Sequence, residues 1–359
     1  MAKRFALALG SSLLALVVAE ALLRAFPPIV SDRLFQADDR FGWFHIPGRA
    51  GWHRTREFST FITVNSNGLR DVEHTYSKLA GVSRVLILGD SFPEGFQVSW
   101  EETVGQQLDG MLNSVGGPPF EVINAGVSGF GTGQELLYYE VEGRRYRPDL
   151  VLLLFFRNDV QDNATSPYFS VEGGRLVANS VVPQNRAGWI LPFRSWLWDH
   201  LIIVRLAGTS LSRLADALKP PAARHPGEPD PAYRIPPPEE VEYGWSVTSA
   251  LLEELDRQLR ADGAVLAVVH VPEAESLRPE NTVPGYSMDQ VRVRLQELAE
   301  RIGIAYVDLA PGFRREGAAT PLYWPADGHW NSAGHSLAAR LIFEWLMLNR
   351  VEGTMVDGG

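Results

Sequence analysis

The sequence predicts an α/β fold, a three-layer arrangement in which helices cover both faces of a central parallel sheet of about five strands. An N-terminal membrane anchor and an insertion are added to it. Three observations carry this reading. Five short apolar segments, Arg84–Leu88, Phe120–Asn124, Leu150–Phe156, Ala264–Val271 and Ile304–Asp308, have the length and composition of buried strands. Amphipathic segments of helical period separate most of them, and strands alternating with helices build parallel sheets covered on both faces. The chain of 359 residues, 45% hydrophobic and 21% charged, is long and apolar enough for a sizeable core.

At the N-terminus, Lys3 and Arg4 precede an apolar run from Phe5 to Ala19. Glu20 interrupts it, Ala21 to Leu23 resume it, and Arg24 ends it before Pro27-Pro28. A span needs about 20 residues, so residues 1–27 read as an anchor or signal sequence with Glu20 and Arg24 near the interface. The basic flank stays in the cytoplasm and sends the remainder across the membrane. Ala19-Glu20-Ala21 is a weak cleavage match, and an uncleaved anchor is preferred.

Residues 28–80 are rich in aromatics, Gly and Arg and read as a small extension packed on the main domain. Within it "FGWFHIPGRAGWHR" reads as loop and turn, Thr60 to Val64 as a strand, and Asn67-Gly68 as a turn. The main domain takes residues 81–350. In "SWEETVGQQLDGMLN", Ser99 and Glu102 form a capping box, and Val104, Leu108, Met111 and Leu112 share one helical face. Gly133–Arg145, Glu239–Ala261, Ser287–Ile302 and Ser332–Leu348 also read as helices, the last with Leu337, Leu341, Ile342 and Trp345 on its inner stripe. Residues 165–238 hold no convincing strand-helix unit and read as an insertion. Its aromatic stretch, residues 189–206, is expected to cover the crevice or pack on the core rather than lie on the membrane. Its proline-rich "KPPAARHPGEPDPAYRIPPP" reads as extended chain.

Composition narrows the chemistry. A formal net charge of -10 disfavours nucleic-acid phosphates, so no nucleic-acid partner is expected. The absence of cysteine removes disulfides, thiolate metal sites and thiol nucleophiles. Neither a Walker lysine, an H-E-x-x-H nor an acidic cluster of metal spacing is present, so neither cofactor nor metal is expected. "GVSGFGTG" follows a strand but fails G-x-G-x-x-G, since counting from Gly129 the last place is Gln134. The lack of G-x-S-x-G excludes the nucleophile elbow of an α/β-hydrolase.

In parallel sheets the functional crevice lies at the carboxyl ends of the strands. The first strand ends in Gly89-Asp90-Ser91, the second in "AGVSGFGTGQ", the third in Asn158-Asp159, and "WPADGHWN" follows the last. Serine hydrolysis needs a hydroxyl, a base, an acid to orient the base and donors for an oxyanion. Ser91, His329 and Asp327 can supply the first three, and Gly129 and Asn158 can supply donors beside the Ser91 backbone. His335, inside the last helix, reads as a helix-surface or capping residue, and His270 as a core histidine. Asp90 reads as orienting its turn and Asp159 as bonded to backbone. Trp324 and Trp330 flank Asp327 and His329, where an aromatic face can stack on a sugar ring.

The blocks Gly-Asp-Ser-Phe, Ser-Gly, Asn-Asp and Asp-Gly-His-Trp-Asn resemble, in order and spacing, those of the SGNH or GDSL-type hydrolases. The resemblance covers roughly residues 84–345 without the insertion. It implies a flavodoxin-like sheet, with Ser91 as nucleophile, His329 as base and Asp327 as its partner. Ser91, Gly129 and Asn158 would form the oxyanion hole. Phe156 stands where the third block usually has Gly, and the last block is Asp-x-His rather than Asp-x-x-His. The shorter form followed by Trp is similar to that of SGNH-like proteins in alginate and exopolysaccharide acetylation. Membrane-anchored bacterial proteins of this organisation are similar throughout, including "NSNGLRD".

Together, anchor and resemblance imply an esterase, in the periplasm and held by a single pass through the inner membrane, that removes acyl groups, acetyl above all, from a carbohydrate or related ester. Polysaccharide-biosynthesis proteins would be its neighbours. One alternative is an O-acetyltransferase using the same triad on an exopolysaccharide or cell-envelope glycan. Another is a non-catalytic glycan-binding module, which labelling of Ser91 by a fluorophosphonate would exclude.

Overall fold

The computed structural model describes residues 1–26, 30–179, 196–218, 229–278 and 283–349. In chain order the described strands are β1 (Phe35–Asp38), β2 (Gly42–His45), β3 (Ala50–Arg54), β4 (Ser59–Thr63), β5 (Ser83–Gly89), β6 (Phe120–Asn124), β7 (Leu150–Phe155), β8 (Phe169–Glu172), β9 (Arg175–Ala178), β10 (Val265–His270) and β11 (Ala305–Asp308). Five of them form one parallel sheet in the order β6-β5-β7-β10-β11. All five lie within a residue or two of the segments the sequence marks.

The near-continuous apolar runs have a simple cause. Successive side chains of a strand point to opposite faces, and both faces here are buried. In β5, Val85 and Ile87 join one core while Leu86 and Leu88 join the other. In β7, Leu150, Leu152 and Leu154 go one way, and Val151, Leu153 and Phe155 the other. The first core is closed by Leu108 and Leu112 of the helix Val104–Ser114, Phe313 of Ala310–Gly317, and Leu337 and Ile342 of Ser332–Asn349. The second is closed by Leu136 of Thr132–Val141, Leu251 and Leu255 of Glu239–Asp262, and Leu295 of Gln290–Ile302. The result is three layers. The second strand of the sheet lies outside the first, so the connections change direction between β5 and β7, and the crevice opens at the carboxyl ends of that pair.

Departures from expectation are local. The Ser99–Glu102 capping box is present, but it caps a 3-10 turn, Trp100–Glu102. The α-helix starts at Val104, with Thr103 Oγ1 accepting from Gln106 N. The stretch expected as loop and turn in the extension instead contributes β2 and β3, in two antiparallel hairpins, β1–β2 and β3–β4. Cross-strand aromatic contact, Trp52 with Phe61 at 5.2 Å, does what alternation did not announce. The insertion carries a further hairpin, β8–β9, turned by Gly173-Gly174 with both φ positive, the chemistry such a two-residue turn demands. Its aromatic stretch is corrected too. Residues 189–195 lie outside the described residues, but residues 196–218 run beside the N-terminal helix Ala2–Ala25 and the extension. Arg33 and Arg49 both pair with Asp199, a polar tether that the aromatic count concealed.

Candidate active site

β5 ends at Gly89, where φ is +149° and a Cβ would stand 2.7 Å from Pro93 Cγ and 3.0 Å from the Leu154 carbonyl. Only glycine permits that approach. Asp90 then turns its carboxylate onto the Phe92 N–H at 3.0 Å, capping the single turn Ser91–Glu94. Ser91 therefore stands at the switch point of the sheet, on a turn held from both sides.

Ser91 Oγ lies 2.7 Å from His329 Nε2. On the far side of the ring, His329 Nδ1 lies 2.7 Å from Asp327 Oδ1. Because a carboxylate accepts only, Nδ1 carries the proton, and Nε2 is left to accept from the serine hydroxyl. The short Asp-x-His spacing works because Gly328 takes φ +83°, folding Asp327 back under the histidine. Asp327 Oδ1 also accepts from the His329 backbone N–H at 3.4 Å. Burial pulls the His329 pKa down, but the Asp327 hydrogen bond and charge outweigh it and hold it above the usual 6.5. Burial likewise pushes Asp327 up, and the same histidine more than reverses that.

The loop after β6 is locked to the Ser91 turn. Asn124 Nδ2 donates to the Pro93 carbonyl at 2.6 Å, and the Ser128 N–H donates to Glu94 Oε1 at 2.9 Å. Gly126 must be glycine, since a Cβ there would meet Glu94 N at 2.5 Å. Gly129, at φ +77°, follows on the exposed crest. Asn158 opens the helix Asn158–Thr165 after β7, close enough to Asp90 to lower its carboxyl pKa against the effect of burial. Its Nδ2 donates to Asp162 Oδ2 at 2.9 Å. Phe156, in place of the usual glycine, donates its N–H to Asp159 and packs its ring 4.6 Å from Phe92. The bulkier residue is thus absorbed by the core.

Several residues that position this site carry no mark in the sequence pattern, and all but one of them lie in the extension. Glu57, in the β3–β4 turn, accepts from the Asp327 N–H at 2.7 Å and from the Ala326 N–H at 3.0 Å. Trp43 Nε1 donates to the Ser128 carbonyl at 2.9 Å. His45 and Glu94 of the Ser91 turn meet at 2.7 Å, both fully buried. Arg70, inside "NSNGLRD", donates to the Glu94 carbonyl at 2.7 Å and the Val98 carbonyl at 2.5 Å, and Asp71 accepts from Asn124 N at 2.7 Å. The available signal is "NSNGLRD" itself, a polar cluster with an Asn-Gly turn whose partners lie far along the chain.

Other residues sort themselves. His335 is not on the helix surface. It is buried, its pKa is pushed down to about 3 by burial, and its Nδ1 accepts from the N-terminal N–H of Val104, so it caps a neighbouring helix. Asn331 caps its own helix through the Gly334 N–H. His270 is buried, 3.4 Å from Asp308. Trp330 is 0% exposed, packed on Phe92 and Phe313, and its expected stacking on substrate is corrected: the ring is needed to fill the core. Trp324 is half-buried against Phe58 and borders a groove of about 670 Å³ shared with Tyr323, Pro325, Arg278 and Arg314. Behind the site, Asp90, Glu135 and Asp159 are buried together; burial pushes Asp90 up to about 6 and the other two well above the carboxylate range.

A doubly wound sheet with a Ser-His-Asp chain of hydrogen bonds at its switch point defines an SGNH-type ester hydrolase. Residues 87–337 match the GDSL-like Lipase/Acylhydrolase family, and the chain belongs to that family. Solved structures it resembles include that of TesA, at 15% identity and a TM-score of 0.42, covering 74% of this chain and 98% of that one. Axe2, an acetylxylan esterase from Geobacillus stearothermophilus, follows at 17% identity and a TM-score of 0.43, covering 73% and 93%. LAE5, an alpha/beta hydrolase enzyme from the metagenome of Lake Arreo, Spain, has 15% identity and a TM-score of 0.44, covering 75% and 96%. No curated protein matches the chain.

Proposed function

We propose that this ester hydrolase acts outside the cytoplasm and removes small acyl groups, acetyl above all, from a carbohydrate or related ester. The observation that carries the chemistry is the pair of 2.7 Å contacts linking Ser91, His329 and Asp327. Ser91 Oγ attacks the ester carbonyl carbon as its proton passes to His329 Nε2, and Asp327 holds the imidazolium that results. The oxyanion is met by the backbone N–H groups of Ser91 and Gly129 and by Nδ2 of Asn158, which turns one hydrogen from its carboxylate neighbours. Collapse expels the alkoxide, which takes the proton from His329 and leaves the acyl group on Ser91. Water then attacks that ester, giving its proton to His329. The second collapse releases the acid and restores the serine hydroxyl.

The carbohydrate reading is supported by Trp324, half-buried on the loop that carries Asp327 and His329 and bordering a groove beside that loop. A sugar O-acetyl site needs only a small acyl pocket. The test is acyl release from acetylated polysaccharide and from acetyl and octanoyl aryl esters. Acetyl esters are expected to turn over much faster, and Ser91→Ala to abolish turnover. Full turnover by Ser91→Ala ends the assignment of the nucleophile, and a preference for octanoyl esters replaces the carbohydrate substrate with a lipid-type one. Acetyl transfer to an added glycan in preference to water would make the protein an O-acetyltransferase.

A further inference from the structure

Glu20 is the one acidic residue in the apolar N-terminal run, and its partners lie some 180 residues away. Its two carboxylate oxygens accept from the Ile202 and Ile203 N–H groups at 3.1 Å each, capping the helix Ile202–Leu218. Arg24, one turn later, pairs with Glu20 at 2.9 Å and donates to the His200 carbonyl at 2.6 Å. Asp199 binds Arg33 and Arg49, and Arg205 binds Asp32. Gly208 lets the Trp198 ring come close against the helix, since a Cβ there would stand 2.2 Å from it. The second helix is thereby fixed at the C-terminal end of a helix of 23 residues that is long and apolar enough to cross a membrane.

The face turned outward there is mainly apolar, with Ser210 the one exposed polar residue among residues 202–211. Ala207, Leu211 and Leu214 fall on one stripe at helical spacing and are exposed, Leu211 at 65% and Leu214 at 56%. Beside it, Trp52 accompanies exposed Phe61, and Arg54 lies over the Trp52 ring at 4.7 Å. Trp52 N and Arg205 share Asp32, so this aromatic and basic edge adjoins the helix. Aromatic rings and cations at the end of an apolar span are the composition of a membrane–water boundary, and an amphipathic helix at that depth buries its apolar face among the acyl chains.

We propose that Ile202–Leu218 is an interfacial helix whose Ala207, Leu211 and Leu214 face enters the outer leaflet of the bilayer, setting the catalytic domain against the membrane surface. This rests on the reading of the N-terminal helix as a membrane anchor. Because the chain has no cysteine, single labels report without background. The full chain is reconstituted in phosphatidylethanolamine–phosphatidylglycerol vesicles with a fluorophore on Leu211→Cys or Leu214→Cys. Leu13→Cys serves as the anchor control and Arg257→Cys as the exposed polar control, and ester turnover verifies that each variant is folded. Quenching by shallow nitroxide lipids at residues 211 and 214 is expected to exceed that at residue 257 by at least about twofold, with residue 13 quenched best by deep nitroxides. Residue 13 quenched but residues 211 and 214 at the level of residue 257 overturns the interfacial helix and leaves the anchor standing. A blue-shifted but unquenched label at residues 211 and 214 assigns the face to a second copy of the chain, again overturning the proposal. An unquenched residue 13 overturns the anchor and the interfacial helix together.

Discussion

In the proposed mechanism Ser91 and His329, 2.7 Å apart, share one proton transfer, so their losses are not expected to add. Either alanine variant is expected to cost at least about 10⁴-fold in kcat, and the double variant scarcely more. Asp327→Asn is expected to be milder, and Asn158→Ala, or a bulky residue at Gly129, to cost about 10²- to 10³-fold through the oxyanion. The base works neutral. Its pKa stands above 6.5 because the Asp327 contact outweighs burial, so kcat/KM should rise with pH through a midpoint above 6.5, and Asp327→Asn should move that limb to lower pH. A parent midpoint below 6.5 would contradict the geometry. The ion pair's stabilisation has two edges: the His329 contribution is full below about 6.5 and fades as pH rises through the raised pKa, and the Asp327 contribution is lost as pH falls through its lowered one.

Glu135 titrates in the opposite sense to Asp327. Burial, then the charges of Asp90 and Asp162, hold it protonated, and neither of its oxygens has a hydrogen-bond partner. Its contribution to stability is therefore full below the unfolded value of 4.5 and declines as pH rises above it. Glu135→Gln keeps the shape without the titration, so the melting temperature of the variant should gain on the parent between pH 5 and pH 8. A pH-independent difference would mean that Glu135 is not held neutral.

Among the elements, the β3–β4 hairpin has the clearest consequence. Its turn residue Glu57 clamps the backbone of the Asp327 loop. A hydrogen bond to a charged group is worth about 1.5–3 kcal/mol, so Glu57→Ala should lower kcat by about tenfold or more with little change in KM. An unaltered kcat would show that the loop holds itself. The tryptophans divide by burial. Trp330→Ala opens the core and should cost about 3–5 kcal/mol of stability, whereas Trp324→Ala should leave the melting temperature nearly unchanged and raise KM for an acetylated glycan.

At the scale of the molecule, the extension joins the apolar N-terminal helix to the candidate site: Asp32 and Arg49 hold the second helix, and Glu57, Trp43 and Arg70 hold the loops that carry Asp327, Ser128 and Glu94. The topology proposed for the whole chain predicts that protease added to spheroplasts digests the catalytic domain, while intact outer envelopes shield it. Protection in spheroplasts would reverse the orientation of the N-terminal helix.

The sequence by itself determined the sheet and marked Ser91, His329 and Asp327, which the fold brings into one chain of hydrogen bonds. Strands buried on both faces must be apolar throughout, and the turns that leave them must be small and polar, so "RVLILGDSF" and "DGHWN" declare their roles within a few residues of chain. Tertiary structure alone decided which flanking residues serve the site. Trp330 and Trp324 are six residues apart and chemically alike, and only packing sent one into the core. The Gly129 loop rests on Trp43, the Asp327 loop on Glu57, and the insertion helix on Glu20, in each case through a hydrogen bond spanning more than eighty residues. Local periodicity carries no trace of such partners, because a polar side chain in a loop reads the same whether it meets water or a buried backbone N–H.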